Sequence, residues 1–494
     1  MDTIGHWIGG RAVPGSSGRT GPVFDPARGV QTAEVSLASA AEVDDVVKVA
    51  VDAARSWGTS SLSRRAGALF RFRELLDAHR DDVAAAITRE HGKVLSDAQG
   101  EVARGLENVE FACGIPHLLK GSLSPEASTD IDVVTVPEPV GVVAGITPFN
   151  FPAMVPLWML ANAVACGNAF VLKPSEKDPS ASLLLAELIQ QAGFPNGVVN
   201  VVQGDREAVD ALLTHPDVDA VSFVGSTPVA RHIYETGTGN GKRVQALGGA
   251  KNHMVVLPDA DVGAAADAAI SAGYGSAGER CMAISVVVAV GDVGDALVEA
   301  IAARIPDVVV GPGDDPASMM GPLITAEHRD RVRSYVVGAT DEGAQVVVDG
   351  STGGPDTGFF LGCSLLDGVQ PGMRAYDDEI FGPVLGVVRV ATYDEAVALV
   401  NANPYGNGVA LFTRDGGAAR RFQREVTVGM IGINVPVPVP VASHSFGGWK
   451  ASLFGGHPIY GPDGLRFYTR SKVVTTRWPD PATSEIDLGF PTNR

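Results

Sequence analysis

VGVVAGITPFNFPAMVPLWMLANAVACGNAFVLKPSEK, residues 140–177, opens on one β-branched run and closes on another. Between them, residues 139–172 carry no charge, more than the ~20 residues a membrane-spanning helix needs. Pro148, Pro152 and Pro156 interrupt the stretch, and Asn150, Asn162 and Asn168 are costly in lipid. It reads instead as a buried strand over 140–146, a loop over 147–152, a buried helix and a second strand over 169–172. No membrane partner is expected.

Working outward, β-rich runs (VGVVAGI, NAFVLKP, VVNVVQG, AVSFVG, MVVL) alternate with helical ones (SASLLLAELIQQAG, REAVDALLTH, STPVARHIYETG) from 140 to 260. That alternation predicts a parallel α/β sheet with helices on both faces. A second α/β set runs from about 262 to 430, with strands near SVVVAV, AQVVVDG and GVVRV. Upstream, 40–119 repeats apolar residues at helical spacing. IDVVTVPEPVGVVAGI, after 130, switches to the alternation of strands.

Composition bounds the function. At 494 residues the chain is long enough for about three domains. With 38 Lys and Arg against 57 Asp and Glu, the net charge is −19, which argues against a nucleic-acid partner. Anionic ligands must find local Arg or Lys. The four cysteines form no CxxC pair, so reduced thiols are expected and no zinc or other metal site is readable. The opening MDTIGHWIGGRAVPG has neither a signal-type apolar core nor an Arg-rich amphipathic segment, from which a cytoplasmic location is expected.

Neither GxGxxG in strand–helix context nor GxxxxGK[ST] occurs. Four weaker features remain. Cys281, in GSAGERCMAIS, adjoins Arg280 and follows a turn of small residues, a setting that suits a nucleophile as well as an inert thiol. Asn150 in ITPFNFP is either a turn former or an oxyanion donor. Lys173 and Glu176 in VLKPSEK stand at a strand's carboxyl end, where open α/β sheets bind ligands. Gly225 and Ser226 mark a strand-to-helix junction suited to a pyrophosphate.

Taken in order, PFNFP, KPSE, FVGST, LGGAKN, GERC and EIFGPV resemble the aldehyde dehydrogenase superfamily over essentially the whole chain. GAKNHMVVLPDAD (249–261) and INVPVPVPVASHSFGGWKASLFGG (433–456) resemble its CoA-acylating, methylmalonate-semialdehyde branch. The resemblance implies two doubly wound α/β domains plus an oligomerisation β-hairpin. An NAD-binding domain would comprise 1–119 and 143–249, and a catalytic domain 250–432. Segments 120–142 and 466–494 would build a homotetramer, and 433–465 would loop near the active site.

It also implies roles. Cys281 would attack the aldehyde, and Asn150 would hold the oxyanion. Thr147, Phe149, Lys173, Glu176, Lys177, Gly225, Ser226, Gly248 and Glu379 would contact NAD, with Glu176 favouring NAD over NADP. Arg104 and Arg280 would bind the substrate carboxylate. CoA would be the co-substrate, and the product propionyl-CoA or acetyl-CoA after loss of CO2.

Two departures from the superfamily stand out. Glu279 replaces a glutamine, a negative charge expected to raise the thiol's pKa. Leu247-Gly248-Gly249-Ala250-Lys251 stands where hydrolytic relatives carry Glu-Leu-Gly-Gly-Lys, so the carboxylate that activates water is missing. The alternatives are a hydrolytic semialdehyde dehydrogenase giving a free acid, and a catalytically silent binding protein.

Overall fold

The β-branched runs between 140 and 247 form five parallel strands in the order Arg243–Leu247, Ala220–Val224, Val142–Ile146, Ala169–Lys173, Val199–Val201. The structure is a computed structural model that describes residues 2–478, 481, 482 and 489. Four of these strands are buried along their whole length, which explains why their sequences lack polar alternation. Successive side chains of the middle strand serve two cores. Val142, Ala144 and Ile146 join Val43, Leu212 and Ile233, whereas Val143 joins Leu157, Leu185 and Phe170. Helices therefore cover both faces.

The first strand of this series lies in the middle of the sheet, and the chain builds outward from it in both directions. A crevice results at the carboxyl ends, where the order reverses. The sheet also gains strands from distant sequence. His6–Ile8 pairs antiparallel with Val199–Val201, and Leu453–Phe454 with Arg243–Leu247. The strands before residue 40 are not among those expected from periodicity; three of them have only three residues each, and Gly and Pro turns separate them.

A second sheet runs Gln345–Val348, Ser364–Asp367, Val384–Val390, Ile284–Val290, Asn252–Val256, Gly408–Phe412, Met430–Ile433, parallel except at the first strand. The MVVL run, read with the first series, belongs here. Asn252–Val256 pairs with Ile284–Val290 and Gly408–Phe412. A third, antiparallel sheet joins Ser122–Ser128, Ile131–Pro139 and Thr469–Arg477. The expected C-terminal segment 466–494 is thus described only in its first part; 479, 480, 483–488 and 490–494 lie outside the described residues. Among the described residues, no helix is long and apolar enough to cross a membrane.

Candidate active site

The carboxyl ends of the first sheet carry most of the residues singled out above. Thr147 follows the middle strand, and its buried hydroxyl has no partner. At the next strand end, the Lys173 ammonium lies 3.3 Å from the Glu176 carboxylate. Ser226 is the N-cap of the helix Thr227–Gly239 and makes no side-chain cap bond, so the first-turn N–H groups stay open to an anion.

Glycine is required at two close approaches. A Cβ on Gly225 would stand 2.5 Å from the Phe223 ring, and one on Gly248 2.7 Å from the Ala451 carbonyl. Gly249 likewise leaves room for the Glu379 carboxylate, which accepts the Ala250 N–H at 2.8 Å. Burial pushes the Glu379 carboxyl up to about 7. These surroundings (an anion-accepting helix start, a carboxylate at a strand end, an unpartnered hydroxyl and glycines where backbone must come close) fit a dinucleotide.

The nucleophile loop leads into the strand Ile284–Val290 of the second sheet, and Cys281 lines one cavity with Ala250, Asn252 and Glu379. Ser276, Ala277 and Gly278 all adopt left-handed backbone (φ 53, 52 and 73) before the chain reaches Cys281. The Cys281 carbonyl accepts the side-chain amides of Asn252 at 2.9 Å and Asn407 at 3.0 Å. Burial, then the Glu379 charge, pushes the half-buried thiol up to about 12. The N–H groups of Cys281 and Met282 and the Arg280 charge act the other way.

Asn150 Nδ2 donates to the Glu279 backbone carbonyl at 3.0 Å, and the Asn150 backbone carbonyl accepts Lys93 Nζ at 2.6 Å. Lys93 is also 2.8 Å from Glu101, whose other oxygen accepts the N–H groups of Ala153 and Met154 at the start of the helix Met154–Ala165. One buried ion pair thus fixes the Asn150 loop and the helix behind it. Sequence reading missed Lys93, Glu101, Asn252 and Asn407. Only Asn252, within the quoted GAKN, carried a signal.

One expectation changes. Glu279 does not lie against the thiol. Its carboxyl sits 3.7 Å from His91 Nε2 and 3.6 Å from His328 Nε2, and burial pushes it up to about 8. The carboxylate that raises the Cys281 pKa is that of Glu379. Lys177, expected on the adenosine side, carries its ammonium 4.8 Å over the ring of Phe149, a residue also expected at the cofactor. Arg280 is engaged by Asp97 at 2.6 Å, so a substrate carboxylate must compete for it.

Arg104, on an exposed helix face, pairs with Glu107 at 3.0 Å. The Arg104 charge pulls the Tyr460 phenol down, against burial, which pushes it well above its usual value. Leu247 is 3 % exposed and packs in the apolar core. If the superfamily motif is matched on Leu-Gly-Gly instead, Ala246 takes the carboxylate's place, and it is buried completely. Either register leaves an apolar residue there.

The aldehyde dehydrogenase family model matches residues 13–474. The chain belongs to the aldehyde dehydrogenase family. It is 53% identical to a malonate-semialdehyde dehydrogenase of Pseudomonas aeruginosa, over 99% of this chain and 100% of that one. The methylmalonate-semialdehyde dehydrogenase of Oceanimonas doudoroffii superposes with a TM-score of 0.96 at 53% identity, covering 98% of this chain and 100% of that one. A Sinorhizobium meliloti protein described as a candidate methylmalonate-semialdehyde dehydrogenase, solved with NAD, gives a TM-score of 0.96 at 50% identity and covers 98% of this chain and 99% of that one.

Proposed function

We propose that this aldehyde dehydrogenase oxidises malonate or methylmalonate semialdehyde with NAD and passes the acyl group to CoA, releasing CO2 and acetyl-CoA or propionyl-CoA. The names of the relatives support the substrate class, and the NAD-bound neighbour supports the cofactor. Thr147, Phe149, Lys173, Glu176, Lys177, Gly225, Ser226, Gly248 and Glu379 would hold NAD. Glu176 accepts a ribose 2′-hydroxyl but repels a 2′-phosphate. When bound, NAD supplies the acceptor for the two electrons and the hydrogen that leave the aldehyde carbon.

The chain's own residues do the rest. Cys281 Sγ bonds to the aldehyde carbon, and the thiol proton leaves to solvent or to the Glu379 carboxylate, which lines the same cavity. The second N–H of the Asn150 amide and the Cys281 backbone N–H are left to hold the oxyanion. After oxidation the acyl group is a thioester on Cys281. Its β-carboxylate departs as CO2, with the electron pair drawn into the thioester carbonyl and stabilised at oxygen by Asn150. Proton uptake at carbon follows. Attack by the CoA thiolate on the thioester carbon then expels Cys281.

The single observation that carries the CoA-acylating reading is the apolar end of the strand Arg243–Leu247, where Ala246 and Leu247 are both buried. Hydrolysis needs a base to take a proton from water, worth typically 10²–10⁴-fold, whereas a thiol is partly thiolate at neutral pH. Rapid mixing with malonate semialdehyde and NAD tests it. Without CoA, a burst of about one NADH per active site should precede slow turnover, which CoA accelerates at least tenfold. Fast steady-state oxidation to free acid without CoA would establish the hydrolytic alternative.

A further inference from the structure

Three loops meet beside Cys281, and one side chain touches the supports of all three. Glu279 lies two residues before the nucleophile. Its backbone carbonyl accepts the Asn150 amide. Its carboxyl is completely buried, accepts the Ile324 N–H at 3.3 Å, and stands between His91 and His328. Each imidazole serves one of the other loops. His91 stacks on Phe149 of the Asn150 loop, centroids 5.9 Å apart. His328 Nε2 is 2.7 Å from the carbonyl of Phe381, two residues after Glu379. Phe149 and Phe381 meet edge to face at 5.9 Å.

The contacts assign the tautomers. His91 Nδ1 accepts the Lys93 N–H at 3.3 Å, which leaves the proton on Nε2. His328 must donate from Nε2, because a carbonyl only accepts. Both N–H groups therefore stand near Glu279. Glu279 Oε2 and His91 Nε2 are buried and without partners, so a small closing movement joins them.

We propose that Glu279 is a positioning residue, a buried tie that acts through His91 and His328 to hold the nucleophile loop, the Asn150 loop and the Glu379 turn in place against one another.

The tie has a direction with pH. The groups facing Glu279 are His91 and Lys93, at and just after the end of one helix, His328 on a second, and Lys177 beyond a strand. Burial pushes both imidazoles down, His91 well below its usual value and His328 to about 4, so both are neutral at pH 7 and above. Glu279 is then neutral below about pH 8 and ionised above it. A carboxylate accepts an N–H more strongly than a carbonyl does, so ionisation draws His328 away from Phe381. Phe381 has a left-handed backbone (φ 58), a strained conformation that persists only while its surroundings enforce it. Releasing its carbonyl loosens the Glu379 turn.

The consequence for turnover rests on the dehydrogenase reading above; the tie itself does not. Two measurements test it. First, kcat is compared between wild type and Glu279→Gln from pH 6 to 9.5. Glutamine keeps the shape and cannot ionise, so the ratio of kcat at pH 9 to kcat at pH 7 should be at least threefold higher in the variant. Second, amide hydrogen exchange of residues 147–152 and 379–382 is followed in wild type without substrate. After correction for intrinsic rates, protection should fall at least fivefold between pH 7 and pH 9. Parallel pH profiles, or protection in wild type that does not change, would overturn the proposal. Wild type that forms no NADH at any pH defeats the functional reading alone. The exchange experiment needs neither turnover nor a folded variant, and still decides the tie.

Discussion

Side-chain direction separates residues whose sequence neighbourhoods look alike. Glu279, Arg280 and Cys281 are consecutive, yet Glu279 turns into a buried imidazole cluster, Arg280 pairs with Asp97, and Cys281 lines a cavity with Glu379. Arg104 is different again, an exposed guanidinium paired with Glu107. An exposed pair of that kind is worth about 0–1 kcal/mol, so exchanging Glu107 for a substrate carboxylate costs little. Arg104→Leu should therefore raise KM for malonate semialdehyde at least tenfold while moving KM for propanal less than twofold, with the folding midpoint unchanged. Steady-state kinetics on the two aldehydes checks this. An equal rise for both would make Arg104 structural.

Among the elements, the helix Met154–Ala165 shows how packing reaches the chemistry. Every residue in it is buried, so its N-terminal N–H groups have no water to turn to. Glu101 satisfies those of Ala153 and Met154, and Lys93 neutralises Glu101 while gripping the Asn150 carbonyl. Removing one partner of a buried pair leaves the other charge uncompensated, typically at about 3–5 kcal/mol. Lys93→Met should thus lower unfolding stability in urea by about that amount. It should also depress kcat more than it raises KM for NAD, because the Asn150 carbonyl loses its anchor. A stability change under about 1 kcal/mol would show that Glu101 is satisfied elsewhere.

At the scale of the whole molecule, the antiparallel sheet of Ser122–Ser128, Ile131–Pro139 and Thr469–Arg477 leaves apolar side chains in the open. Leu123 is 63% exposed and Val473 61%. Exposed apolar residues grouped on one sheet mark an interaction surface, and a homotetramer built across it is the assembly we expect. Val473→Asp should then shift the protein to smaller species in sedimentation velocity with its far-UV circular dichroism retained. An unchanged sedimentation coefficient would place the interface elsewhere. Much of this architecture is legible along the chain. Fully buried parallel strands demand near-continuous β-branched runs, and their helices demand 3.6-residue spacing, so the two α/β series stand out wherever local pattern and packing agree. The ordered motifs from PFNFP to EIFGPV likewise locate Asn150, Cys281 and Glu379 on loops. What sequence by itself determined is therefore the kind of each element and the position of the reactive groups along it. Only the tertiary structure decided that Asn252–Val256 enters the second sheet, that Leu453–Phe454 closes the edge of the first, and that Glu279 and Lys177 turn inward. Strand partners and side-chain directions depend on residues dozens to hundreds of positions away, whose contacts outweigh any local preference.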